Sequence, residues 1–273
     1  MGWFRMIENP RRILAAVLCA LAFAAGCSGP AERAANPSSS AAETGSPVSR
    51  SSSPATGSSS PAPGNLETTK DFSVATFTAV DLDGPYNLVV NVGTPTSVRA
   101  EGDPAGLDVL DIRVSEDTLV ASVKPGARWP AGAHVTVTAV VSALTAVKLA
   151  GPGGIHVGAV AADTLVFAEN GSGTIEAPQL TVSRLTASLS GSGIIRAGGT
   201  SEDVDLSLDG SGPQDLSALT TKRAAVALAG SGSLTFRATE KVTGSLAGAD
   251  NVTVVGDAKC SVSRAGSGRV TCN

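Results

Sequence analysis

Aromatic side chains are nearly missing from this sequence: they make up 3% of 273 residues. Sugar-processing sites favour aromatic platforms, so the shortage counts against one here. Only two histidines are present, His134 and His156, which disfavours a His-based metal site or a Ser–His hydrolase. Charge is sparse at 16%, too little for a coiled coil. The net charge of −4 argues against nucleic acid, whose phosphates demand clustered Lys and Arg. Against these shortages stand 42% hydrophobic residues, 31 Gly and 15 Pro. That apolar content is too high for disorder throughout and suffices for a sizeable core.

The one long apolar run is short. Ile13 to Gly26 spans 14 residues behind Arg5, Arg11 and Arg12. A membrane span needs ~20, so residues 1–26 read as a secretory signal peptide. The run closes on Ala24-Ala25-Gly26-Cys27, which resembles a bacterial lipobox, with Ala24 where Leu is usual. The resemblance implies acylation of Cys27 and a lipid anchor at the extracytoplasmic face of the cell membrane. Each buried acyl CH₂ contributes ~0.8 kcal/mol to such an anchor. Cleavage there leaves 17 basic and 23 acidic residues, so the chain's own charge does not hold it to anionic lipid.

Residues 27–66 read as the lipidated Cys and a tether. Of positions 28–65, 29 of 38 are Ser, Pro, Ala or Gly, with Val48 the one larger aliphatic. Such a segment buries too little apolar area to offset its ordering entropy.

Beyond residue 67 the sequence alternates apolar and polar residues in the manner of strands. A triplet recurs: Gly151-Pro152-Gly153, Gly171-Ser172-Gly173, Gly191-Ser192-Gly193, Gly210-Ser211-Gly212, Gly230-Ser231-Gly232, Gly248-Ala249-Asp250 and Gly266-Ser267-Gly268. The spacings are 20, 20, 19, 20, 18 and 18 residues, the mark of a solenoid with one turn per unit. Two positions before the triplet stand Leu149, Glu169, Leu189, Leu208, Leu228, Leu246 and Arg264. Four after its first Gly stand Ile155, Ile175, Ile195, Gln214, Leu234, Val252 and Val270. Period-2 alternation on both sides of a Gly corner means two short strands meeting there, with Val160, Leu180 and Leu219 marking a third side. Glycine at the corners is expected for positive φ and for close stacking of backbones. The fold class is therefore all-β: a right-handed, single-stranded parallel β-helix of ~18–20-residue coils. Residues 144–273 carry the regular repeat, and 67–143, with Pro85, Pro95, Pro104, Pro125 and Pro130, form less regular N-terminal coils. An antiparallel meander with GSG turns is the rival architecture.

The run Phe77 to Asp103, followed by stacked Leu-x-Gly-Ser-Gly units, resembles the bacterial auto-transporter adhesin head GIN domain family. The resemblance covers roughly residues 70–270. It implies a β-helical extracytoplasmic domain named for adhesion, and it supplies no catalytic residue or cofactor.

Chemistry is thin along the repeat. Each Gly-x-Gly is a strand corner with no following helix to receive a phosphate. One outward column, five after the Gly, reads His156, Glu176, Arg196, Asp215, Thr235, Thr253, Thr271. Glu176 and Asp215, two coils apart (~9.6 Å), lie within loose reach of an inverting pair of a polysaccharide lyase or hydrolase. The competing reading is an exposed charge ladder of alternating sign. A second outward face holds Ser188, Ser207, Ala227 and Ser245, small side chains that cost little to desolvate. It is the candidate binding face for a glycan or a surface protein.

The remaining cysteines, Cys260 and Cys272, flank Gly266 symmetrically and fall on inward positions. In an exported chain they are expected to form a disulfide closing the last coil, which would have to flatten toward a hairpin. The sequence thus reads as a lipid-anchored binding or envelope-structural protein without cofactor, metal or catalysis. A β-helical polysaccharide-active enzyme is the alternative.

Overall fold

The computed structural model describes residues 68–273. The expected signal peptide, Cys27 and the expected tether lie outside the described residues. What is described is a parallel-stacked β-solenoid of about six turns with an irregular N-terminal region.

The regular part is built from β8 (Ala146–Leu149), β9 (Gly154–Val157), β10 (Val160–Glu169), β11 (Thr174–Leu189), β12 (Ile194–Leu208), β13 (Pro213–Leu228), β14 (Ser233–Leu246), β15 (Asn251–Val255), β16 (Lys259–Arg264) and β17 (Arg269–Cys272). Each coil has an entry wall before its Gly corner and an exit wall after it. The middle coils add a third wall, exemplified by Val160, Leu180, Gly199 and Leu219 in one ladder. Equivalent residues pair in parallel from coil to coil: Val147↔Phe167↔Ala187↔Leu206↔Val226 on the entry wall, Ile155↔Ile175↔Ile195↔Gln214↔Leu234 on the exit wall. The antiparallel meander is thereby excluded. Inward columns are buried, with Phe77, Phe167 and Phe236 the largest fully enclosed side chains. Burying a Leu, Val or Phe in these columns contributes ~1.5–3 kcal/mol each, repeated down the stack.

The corner glycines occupy their places for one of the two expected reasons. None of them has positive φ; among the described glycines only Gly102, Gly126, Gly132, Gly199, Gly244 and Gly256 do. Close approach is the requirement instead. A β-carbon on Gly191, Gly210, Gly230 or Gly266 would strike the carbonyl oxygen of the corner glycine one coil earlier. The same holds for Gly212 and Gly232 against the glycines beneath them, while at Gly171 it would meet Gly151 oxygen and at Gly193 the Glu169 carboxylate. At Gly173 and Gly268 the carbonyls of Gly153 and Asp250 leave no room either.

At the N-terminal end the register reaches further than the GSG spacing shows. Strands β2 (Ala79–Asp83) and β3 (Asn87–Val92) pair in parallel with β8 and β9, which puts Gly84-Pro85-Tyr86 beneath Gly151-Pro152-Gly153. The segment between them in sequence closes the other side. β6 (Thr118–Val123) and β7 (Val135–Val141) lie parallel to β2 and β3, making a coil below them. β5 (Leu110–Ser115) then pairs antiparallel with β6, β4 (Ser97–Gly102) with β7, and β1 (Thr68–Phe72) with β4. A six-residue helix, α1 (Pro104–Val109), which the strand-like pattern did not announce, begins at Pro104, where a missing N–H costs nothing. Tyr86 stacks on Trp129 with ring centroids 5.1 Å apart, so the 124–134 loop plugs the corner of the lowest coil.

At the C-terminal end Cys260 and Cys272 are bonded, with Cα atoms 6.7 Å apart. The expected flattening into a hairpin does not occur. β16 stays parallel to β14 and β17 to β15, and the bridge crosses between the two walls. Cys260 stands over Val242 and Cys272 over Val254, so both continue core columns. Both are exposed because no described strand lies on the outer edge of this coil.

Candidate functional site

The outward faces of three walls and the interior of the corners carry the polar chemistry. On the entry wall Ser188, Ser207, Ala227 and Ser245 fall in one registered column. Beside it run Thr186, Asp205, Ala225 and Thr243, in register two residues away. A shallow depression of about 240 Å³ lies between these columns at Ser207 and Ala227. Asp205 is paired with Arg184 at 3.0 Å, so the face carries little free charge there.

The exit wall brings together the predicted ladder. His156↔Glu176↔Arg196↔Asp215↔Thr235↔Thr253↔Thr271 pair residue by residue. His156 Nδ1 lies 3.8 Å from Glu176 Oε2, and both side chains are half exposed. Glu176 and Asp215 do not face each other, because Arg196 stands between them in the column. Asp215 is lowered from the usual carboxylate range by hydrogen bonds from Ser217 and by Arg196. His134 is elsewhere, its backbone N–H donating to Asp103 at the start of β7.

Where the third wall bends into the entry wall, a second ion ladder appears that the repeat pattern did not single out. Arg223 is 2.7 Å from Asp203 and 3.5 Å from Glu240, and Lys222 is 2.8 Å from Glu202. Its hydrogen bond to Arg223 holds Asp203 below the ordinary carboxylate range. Such exposed pairs are individually worth little and chiefly hold the bends of neighbouring coils in register.

Two carboxylates lie inside the stack. Glu169 is fully buried in a column otherwise occupied by leucine up to Arg264 of the last coil, and its Oε1 accepts from the N–H groups of Gly171 (3.0 Å) and Gly173 (3.1 Å). Its Oε2 has no hydrogen-bond partner among the described residues, and burial pushes its carboxyl up in spite of the two amides. Asp250 replaces the second glycine of its triplet and is also fully buried. Its two oxygens accept from Gly230 (2.8 Å) and Gly232 (2.7 Å) of the preceding coil. Both carboxylates do the same job, satisfying two corner amides that no strand pairing reaches. The signal was available: a Glu in a leucine column and an Asp in a glycine column.

These features define a rigid parallel β-solenoid whose polar groups form ladders and shallow depressions on its outer walls. The chain belongs to the family described as "Putative auto-transporter adhesin, head GIN domain", which matches residues 76–258. Solved structures share the fold. A putative adhesin from Bacteroides fragilis superposes with a TM-score of 0.72 at 22% identity, over 77% of this chain and 99% of that one. A putative lipid binding protein from Parabacteroides distasonis gives 0.61 at 19% identity, over 77% and 98%. A putative adhesin from Parabacteroides merdae gives 0.59 at 18%, over 76% and 96%. No curated protein matches this sequence.

Proposed function

We propose that the chain is an adhesin-like surface protein, anchored through lipid on Cys27 and acting by contact rather than by catalysis. The family description and the two neighbours named as adhesins support the first part. The lipobox-like Ala-Ala-Gly-Cys supports the anchor, and the Ser-, Pro-, Ala- and Gly-rich composition of residues 28–65 supports reading them as a tether. The observation that carries the binding reading is the entry-wall column Ser188, Ser207, Ala227, Ser245: small outward side chains on a stiff sheet, little to desolvate and little to order when a glycan or a neighbouring protein lies on it.

The enzyme reading draws on Glu176 and Asp215. Their separation by Arg196, and the His156 beside Glu176, favour a surface charge ladder instead.

The test is a glycan and protein array probed with the full-length protein and with Ala227→Arg. Selective binding lost in the variant at unchanged thermal stability supports the reading. Binding that ignores Ala227→Arg removes this face from it, and no binding to any ligand class removes the reading itself. Cys27→Ser is expected to be unprocessed or shed; a variant still at mature mass in the membrane fraction contradicts the anchor.

A further inference from the structure

Two depressions on the third wall, of about 710 and 570 Å³, share Ala161, Thr181 and Thr200 and therefore form one groove running across the strands. We propose that this groove binds an extended, uncharged oligosaccharide chain of about three rings, laid along the solenoid axis. The proposal rests on the binding reading above and names its ligand class and a separate face.

The floor is a registered column, Ala161↔Thr181↔Thr200↔Thr220. The hydroxyls of Thr181 and Thr200 make no hydrogen bond among the described residues. Their neighbours point the other way and are tied down: buried Ser201 donates to Asp203 oxygen, and buried Thr221 lies within bonding distance of the Glu202 and Arg223 carbonyls. The groove thus offers unpartnered hydroxyls on a floor pinned from beneath. Their spacing is one inter-strand step, ~4.8 Å, close to the advance of one ring along an extended glycan.

The rims follow from the 19-residue coil. Between Ala177 and Leu180 two residues, Pro178 and Gln179, oppose the single Gly198, so the longer strand bulges outward and raises one rim. Gly199, with φ of +116°, lies so close to Leu180 oxygen that only glycine fits, which keeps the floor low. The opposite rim is Asp163, Ser183, Glu202 and Lys222. Lys222 is consumed by Glu202 at 2.8 Å, and Asp163 has no ion pair among the described residues, so an anionic chain meets a net negative rim. Beyond Thr200 the register continues the column to Thr220 and then to Arg237. At the other end Val92 is exposed, an apolar patch for a ring face. From Ala161 to Thr200 the floor presents three residues over two inter-strand steps, roughly 10 Å, one residue for each ring. A sheet face presents side chains and no unpaired backbone, so an extended peptide finds no strand to join here.

The experiment is calorimetric titration of the full-length protein with β-1,4-linked glucose and N-acetylglucosamine oligomers of one to six rings. Affinity is expected to climb to three or four rings and then level. Thr200→Arg, exposed and so neutral for folding, is expected to weaken the tetramer by about tenfold or more at unchanged thermal stability. Ser267→Arg, on the exposed last corner and away from both faces, is expected to leave it unaltered. Equal binding by Thr200→Arg, no binding of either series, or loss in Thr200→Arg of binding to extended peptides alone would each overturn the groove assignment. Tetramer binding lost only in Ala227→Arg would overturn it too, while leaving the broader binding reading standing.

Discussion

Leu208 Cδ2 lies 3.0 Å from the point where a β-carbon on Gly232 would stand, so the leucine of one coil fills the hole left by a glycine of the next. Leu149 with Gly173, Leu189 with Gly212 and Leu246 with Gly268 repeat the arrangement. The Leu-x-Gly-x-Gly motif is therefore an interlock between coils, and it accounts for leucine and glycine recurring together.

Leu208→Ala is expected to cost ~2–5 kcal/mol through the cavity it opens. Ser207→Ala, one residue away and exposed, should be nearly silent. Gly232→Ala should also destabilise, and Leu208→Ala should not rescue it, because Gly212 oxygen blocks the new methyl as well. Denaturant unfolding of the three single variants and the double variant checks this; rescue would mean the leucine alone sets the fit.

Glu169 makes stability depend on pH. Its carboxyl is raised in the folded state, so folding favours the protonated form. Its contribution to stability is then greatest below its ordinary value of 4.5 and falls as pH rises through the raised folded value. Glu169→Gln keeps an acceptor for the two amides and removes the buried charge. Its melting temperature should exceed that of the parent at pH 7 and converge with it in acid. A gap between parent and variant that stays constant or reverses over the same rise in pH would show the two amides outweighing burial.

Asp250→Ala leaves the amides of Gly230 and Gly232 without their acceptors, and should cost ~1–3 kcal/mol. Asp250→Asn, which keeps one good acceptor, should cost less. Thermal melts order the three proteins; equal stability of all three would mean water serves the amides as well.

Replacing both Cys260 and Cys272 by Ser should lower stability by roughly 3 kcal/mol in the chain-entropy view of a short loop. Hydrogen exchange should show β16 and β17 losing protection before β14. Uniform loss across the solenoid would argue that the bridge holds more than the terminal coil.

Tyr86 is buried, its hydroxyl unpartnered among the described residues and its ionisation pushed far up by burial. Tyr86→Phe should therefore be neutral or stabilising, while Trp129→Ala, which strips the stacked partner and its hydrogen bond to Ala133 oxygen, should destabilise. Chemical denaturation distinguishes the two.

The repeat was legible because each coil states the same rule: an inward Leu, a Gly corner, an inward Ile, all at period 2. Spacing alone does not reveal that Gly84-Pro85-Tyr86 belongs to the same ladder, since 67 residues separate it from Gly151 and Tyr86 replaces a glycine. Apart from the β5–β6 hairpin across Glu116-Asp117, the N-terminal closure is non-local pairing, β4 with β7, β6 with β2 and β7 with β3, which no local period encodes. The exit-wall ladder and the disulfide follow from register, so counting found them. The third-wall groove arises from a one-residue difference between neighbouring coils, and that shows in the sequence only as a spacing of 19 among 20s. Glu169 and Asp250 broke their columns visibly, but the amides they serve exist only once the corners stack.

The central claim is binding without turnover. The most direct measurement incubates the full-length protein, Glu176→Ala and Asp215→Ala with an array-positive glycan, following bound and released sugar by mass. The account predicts that all three proteins retain the glycan at its original mass with equal affinity. Release of shorter sugars by the parent, abolished in either carboxylate variant, would contradict it.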